Sequence, residues 1–222
     1  MQVSEIAIPI DSTRLDGVLT MPQDARGVVV FAHGSGSGRF SPRNRAVAAT
    51  LVSERLATLL FDLLDRDEER VDDSTAVYRF DIGLLARRLS AAIAWVRAQP
   101  ACRPLPLGLF GASTGAAAAL VAAAREPAVR AIVSRGGRPD LAGDALEQVV
   151  APTLLIVGAR DHQVLHLNQL AAARLTCDTA IEIVPGATHL FEEPGALDIV
   201  ARIAAAWFVR WLGSVRLIGS QQ

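Results

Sequence analysis

The chain contains no lysine. All 22 basic residues among its 222 are arginines. Without a side-chain amine, Schiff-base catalysis, a Ser–Lys dyad and the lysine of a phosphate-binding P-loop are excluded. Cysteine is nearly absent. Cys102 and Cys177 lie far apart and no C-x-x-C occurs, so neither has metal-site spacing and two free thiols are expected. Charge of either sign is not in excess: 22 basic against 23 acidic residues leaves a net charge of −1. That balance gives no reason to expect a nucleic-acid or anionic-membrane partner. No apolar run approaches 18 residues. The start, Met1-Gln2-Val3-Ser4-Glu5, lacks both the basic and the apolar region of a signal peptide. A soluble, cytoplasmic protein is therefore expected. The hydrophobic content, 51%, is enough for one substantial core. We read residues 1–212 as a single domain, followed by a loose tail over 213–222, with no internal repeat or linker.

What is present is organised around one stretch. Pro106-Leu107-Gly108-Leu109-Phe110 reads as a short apolar strand. It runs into Gly111-Ala112-Ser113-Thr114-Gly115 and leaves as the alanine-rich helix that begins Ala116-Ala117-Ala118-Ala119-Leu120. A Gly-x-Ser-x-Gly turn between strand and helix is the sequence form of a nucleophile elbow. The turn must be sharp, which strains the serine backbone. The two glycines remove side chains that would block it. Ser113 Oγ is then lifted clear, and the Thr114 N–H is aimed at a developing oxyanion from a helix N-terminus. The simpler alternative is an ordinary strand–helix turn with Ser113 as N-cap.

The rest of the chain alternates strands and helices. Residues 3–10 place Ile6, Ile8 and Ile10 on one face, with Pro9 favouring an edge strand, and a turn at Asp11-Ser12 leads into a second alternating strand around Leu15, Leu19 and Met21. Gly27–Ala32 is continuously apolar, as a strand buried on both faces should be. Ser41 and Pro42 suit N-cap and N1 of a helix over about 42–55, before a strand at 57–61. The charged stretch 62–79 reads as a solvated loop. A helical stripe over 80–98 precedes the elbow strand. Further strands are expected over 128–133, 153–157 and 180–184. A loop at Ser134–Pro139 and a short helix to about Val149 follow the first, a helix over about 164–175 follows the second, and a last helix starts near Pro194. This order predicts a mostly parallel sheet of about eight strands with an N-terminal antiparallel hairpin and helices on both faces. Ligands then bind at the strand C-termini, where the loops starting at His33, Gly111, Gly158 and Pro185 share one edge.

A serine hydroxyl needs a base, and the base needs an orienter. His189 and Asp161 are the candidates, each in a loop past a strand end, with Asp140 and Asp178 as rivals for the acid. Ser35 is expected to supply the second oxyanion N–H beside Thr114, with Gly36 as the alternative. His33 is expected to hold that loop by hydrogen bonds and not to act as the base. Arg135 and Arg138 could bind a substrate carboxylate, or else pair with Asp140 or Glu192 to fix loops. His162 and His166 stand at i, i+4, but no third ligand or H-E-x-x-H supports a metal, and a surface helix is expected. A dinucleotide site at Gly34-x-Gly36-x-Gly38 fails on spacing: Arg39 stands where the third glycine should be, and Asp62 lies too far along.

On these residues the chain resembles the dienelactone hydrolase-like group of α/β-hydrolases. It is most similar to a bacterial branch that occurs both alone and fused to a phosphoribosyltransferase domain. The segments that carry the resemblance are His33–Ser37, Ser41–Arg45, Gly111–Gly115, Ser134–Leu141 and Gly186–Gly195. The order Ser113, Asp161, His189 is the Ser…Asp…His order of that fold. The resemblance implies an α/β-hydrolase fold and an esterase or lactonase working without metal or organic cofactor on a small-molecule ester or lactone. It does not imply a phosphoribosyltransferase domain in this chain. Dienelactone hydrolase proper uses a cysteine nucleophile where this chain has Ser113, so general acyl-ester chemistry is the expectation. Only Ser134–Pro139 fills the position where many relatives insert a lid, which favours an open site. An acyltransferase with the same triad and a non-catalytic binding module are the alternatives. Oligomeric state cannot be read from the sequence.

Overall fold

The computed structural model describes residues 1–10 and 13–213. The turn expected at Asp11-Ser12 and nearly all of the tail expected over 213–222 lie outside the described residues. Eight strands form one sheet: β1 (Gln2–Ile10), β2 (Thr13–Met21), β3 (Gly27–Ala32), β4 (Leu56–Phe61), β5 (Leu107–Ala112), β6 (Val129–Arg135), β7 (Thr153–Gly158) and β8 (Thr179–Val184). Their order is β1-β2-β4-β3-β5-β6-β7-β8. β1 and β2 pair antiparallel, β2 joins β4 antiparallel, and every later pairing is parallel. The expected hairpin and parallel sheet are therefore present, and β1 is an edge strand that can accommodate Pro9.

Six α-helices accompany the strands: α1 (Pro42–Ser53), α2 (Arg66–Thr75), α3 (Ile82–Ala98), α4 (Thr114–Ala123), α5 (His162–Ala172) and α6 (Ala196–Leu212). All six residues of β3, β4, β5 and β7 are buried, because helices cover both faces of the sheet. One core gathers Leu89, Ile93, Leu109, Leu120 and Ile132 beneath α3 and α4. The other gathers Val47, Leu51, Phe31, Phe110, Val200 and Phe208 beneath α1 and α6. Among the described residues, only a kinked 3-10 segment, Pro139–Gln148, stands between β6 and β7, at the position where a lid could be inserted.

Two sequence readings are corrected. The charged stretch 62–79 is not simply a solvated loop, since α2 occupies its middle. The helix carries almost no apolar stripe, so periodicity misses it. It is held by its ends: Asp65 accepts from the backbone N–H groups of Asp67 and Glu68, and Glu68 reaches back to the Asp65 N–H, forming a capping box. Glu68 also receives the buried Arg88 of α3 through both guanidinium Nη atoms, at 2.6 and 2.5 Å. Buried Asp72 caps the following turn by accepting from the N–H groups of Tyr78 and Arg79. Second, Ser134 and Arg135 are not loop residues but the buried end of β6. The last helix, expected to start near Pro194, begins at Ala196 behind Gly195, whose φ of 79° suits glycine.

Glu68 combines a cap with the countercharge of a buried arginine. Glu68→Ala should cost about 3 kcal/mol, read as a lowered urea midpoint. Glu69→Ala, on the exposed side of the same turn, should stay within about 0.5 kcal/mol.

Candidate active site

The elbow is built by exclusion of side chains. At Gly111 a Cβ would fall 2.4 Å from Ala116 Cα, and at Gly115 it would fall 2.2 Å from the Ala32 carbonyl oxygen. Only glycine allows α4 to start so close to the ends of β3 and β5. The chain turns at Ser113 with φ 50° and ψ −121°, a left-handed conformation costly for a residue with a side chain. Ser113 occupies the N-cap position of α4, yet its hydroxyl makes no capping hydrogen bond. The ordinary N-cap reading of this serine is thus not what the structure shows.

The loop after β3 meets the elbow. A Cβ on Gly34 would lie 2.9 Å from Ser113 Cβ, and Ser35 Oγ is 3.1 Å from Thr114 Oγ1. The two residues expected to offer oxyanion N–H groups are therefore neighbours. Gly36, the alternative donor, follows with φ 61° and lines the same small cavity as Ser35 and Thr114. His33 ties this loop to the next one. Its Nε2 accepts from the Leu63 N–H at 2.8 Å, which places the ring proton on Nδ1, 2.9 Å from the Gly34 carbonyl. Burial holds the His33 pKa below its usual value against the opposing pull of the Gly34 hydrogen bond and Asp62. A small cavity of about 30 Å³, lined in part by Ser35, Thr114, Leu63, Leu85 and Arg79, adjoins these residues. Arg39 pairs with Asp62, so the carboxylate that a dinucleotide ribose would need is engaged.

Across the same edge, Asp161 follows β7 and His189 follows β8. His189 Nδ1 lies 2.7 Å from Asp161 Oδ2, and the Asp161 side chain is only 15% exposed. The rival Asp140 is taken by Arg138, which it binds through both oxygens at 2.9 and 2.7 Å. Asp178 lies at the opposite end of the sheet, where its carbonyl accepts from the Thr153 N–H. The loop after β6 lies against both sides of the site. The Arg138 N–H donates to the Ser113 carbonyl at 3.1 Å, while a Cβ on Gly136 would sit 3.6 Å from His189 Cε1. His162 and His166 are exposed on α5, and no cluster able to hold a metal occurs among the described residues.

Arg138 follows the loop-fixing reading, since Asp140 holds it. Arg135 does not follow that reading: its side chain binds neither Asp140 nor Glu192, and its Nε and Nη1 are buried without partners. Sequence reasoning missed Glu193. Its Oε1 accepts from the Thr188 N–H at 3.0 Å and from Thr188 Oγ1 at 2.6 Å, closing a short ring of backbone around His189. The Thr188 hydroxyl is the main reason the Glu193 carboxyl is held below the usual carboxylate range. The available signal was an acid four residues past a Thr-His pair, which is too common a pattern to single out.

The eight-stranded order, the elbow and the acid–base loops at one edge define an α/β-hydrolase fold. The chain belongs to the dienelactone hydrolase family, whose model matches residues 15–213. A crystal structure of a dienelactone hydrolase from Anabaena variabilis superposes with a TM-score of 0.93 at 52% identity, covering 95% of this chain and 98% of that one. Est1E from Butyrivibrio proteoclasticus (TM-score 0.80, 16% identity, covering 95% of this chain and 99% of that one) shares the fold. So does XC6422 from Xanthomonas campestris, described as a serine hydrolase without a lid (TM-score 0.77, 21% identity, covering 96% and 97%). Two Mycobacterium tuberculosis proteins named putative phosphoribosyl transferases, MT0597 and Rv0571c, are 56% identical over 207 residues, 92% of this chain. That match covers 46% of their length, so this chain spans about half of those relatives. No described helix is long and apolar enough to cross a membrane.

His33 must stay neutral to accept from Leu63. Its folded pKa lies below the unfolded value of 6.5, so the unfolded chain binds the proton more readily. Its contribution to stability is thus complete above pH 6.5 and declines as pH falls from there toward the folded pKa. Thermal melting from pH 8 to pH 5 should show this decline, and His33→Gln should flatten it.

Proposed function

We propose that this chain is a serine hydrolase that cleaves carboxylic esters or lactones through an acyl-enzyme. The observation that carries the reading is the His189–Asp161 contact of 2.7 Å at the same sheet edge as the Ser113 elbow. With the Nδ1 proton donated to Asp161, His189 Nε2 holds the free lone pair and is the base. Ser113 Oγ attacks the acyl carbon as its proton passes to His189. The Ser35 and Thr114 N–H groups receive the charge that develops on the carbonyl oxygen. Collapse of the tetrahedral intermediate breaks the bond to the leaving oxygen, which takes the proton from His189. Water then attacks the acyl-enzyme, giving its proton to His189. The second collapse returns that proton to Ser113 and releases the acid. No cofactor or metal is needed for any step.

The short 3-10 segment after β6 supports small, accessible substrates over long lipids. Glu193 fits as the residue that fixes the loop carrying His189. The relative from Anabaena is called a dienelactone hydrolase, but Ser113 supports the broader class of esters and lactones for this chain. The reading does not extend to the phosphoribosyl transfer named for the mycobacterial relatives.

Ser113→Ala should lower turnover of p-nitrophenyl acetate by roughly three or more orders of magnitude and abolish labelling by a fluorophosphonate probe. Asp161→Asn, which disturbs the tautomer of His189, should cost roughly two or more orders while leaving the fold intact by circular dichroism. Wild-type turnover in Ser113→Ala would refute the assignment.

A further inference from the structure

Arg135 is the least explained charge in the molecule. It is 8% exposed and its side chain forms no hydrogen bond or ion pair among the described residues, with Nε and Nη1 sealed from solvent. A buried, uncompensated guanidinium is a standing cost to the fold. Its neighbours in the alternation of β6, Ala131 and Val133, pack in the core beneath α1 and α6. The Arg135 side chain therefore leaves the sheet on that face, at its C-terminal edge. α1 begins at the same edge and on the same face. In its first turn Arg43 Nε is buried without a partner. The ion-pair partner of Arg43 is Glu192, whose side chain is 65% exposed.

We propose that Arg135, Arg43 and the first turn of α1 form a binding site for a small oxyanion, a phosphate or a carboxylate, at the catalytic edge of the sheet. The planar forks of two guanidinium groups match an oxyanion's paired oxygens, and a helix N-terminus adds its own positive end. Burial, and then the neighbouring charge of Arg43, push the Arg135 pKa down to about 10, still well above neutrality, so the cation persists and lacks only an anion. The site adjoins the candidate catalytic residues. The Ser113 N–H donates to the Arg135 carbonyl at 3.3 Å, and the next residue, Gly136, lies against His189. A bound oxyanion is thus either a group carried by the substrate or a free anion held beside it.

Thermal melting in inorganic phosphate, against sodium chloride of equal ionic strength, tests the site. Wild-type Tm should rise by about 3 °C at ten times Kd, and the rise should be largely lost in Arg135→Met and in Arg43→Gln. In phosphate-free buffer Arg135→Met should melt at or above the wild type, whereas a purely structural arginine would leave the variant less stable. Absence of a phosphate-specific shift, or an equal shift in both variants, overturns the proposal. Should Arg135→Met fail to fold, the half-buried Arg43→Gln decides on the phosphate shift alone. A second arm separates the two sources by comparing kcat/KM for a p-nitrophenyl acetate and a p-nitrophenyl ester bearing a free carboxylate. A preference for the charged ester that falls tenfold or more in Arg43→Gln assigns the anion to the substrate. An unchanged preference, with phosphate binding lost, assigns a free anion. Only this second arm rests on the hydrolase reading, and phosphate binding is read without it.

Discussion

The contact between Gly115 and the carbonyl of Ala32 determines how close the first turn of α4 can come to the end of β3. That approach brings Thr114 beside Ser35 and leaves Ser113 at the tip of a turn with positive φ. A methyl group at position 115 would force the helix outward and separate both candidate oxyanion donors. The alanines that follow, Ala116 to Ala119, are all fully buried and extend the same close packing along the sheet. The geometry around the serine is therefore a packing result before it is a chemical one.

The other half of the site is held differently. His189 and Asp161 lie in loops, and loops need hydrogen bonds where helices have packing. Glu193 bonded to Thr188 supplies them around His189, and His33 bonded to Leu63 and Gly34 supplies them for the loop after β3. The site thus combines a rigid elbow with loops tied at single points.

Much of this was legible in the chain. The succession of strands and helices, the elbow and the placing of Asp161 and His189 in loops past strand ends follow from local patterns, because glycine spacing and apolar runs reflect steric rules that act over a few residues. α2 was not legible, because its stability comes from Asp65, Glu68 and the distant Arg88, and mixed charges read alike in a helix or a loop. The end of β6 was misplaced because Ser134 and Arg135 are polar, and a polar residue buried at a strand end looks like the start of a loop. Arg138 and Arg135 look equivalent in sequence. Only the fold shows that Asp140 reaches one of them and not the other.

The backbone at Ser113 has a consequence for how such a protein would decay. At φ 50° a serine costs the fold on the order of 1–3 kcal/mol that glycine would not. Stability alone thus pulls position 113 toward glycine, and only a use for the hydroxyl opposes that pull. A descendant released from its chemistry would gain stability by a single exchange at the elbow. Serine at this position therefore carries a conformational cost that is readable from the backbone geometry alone.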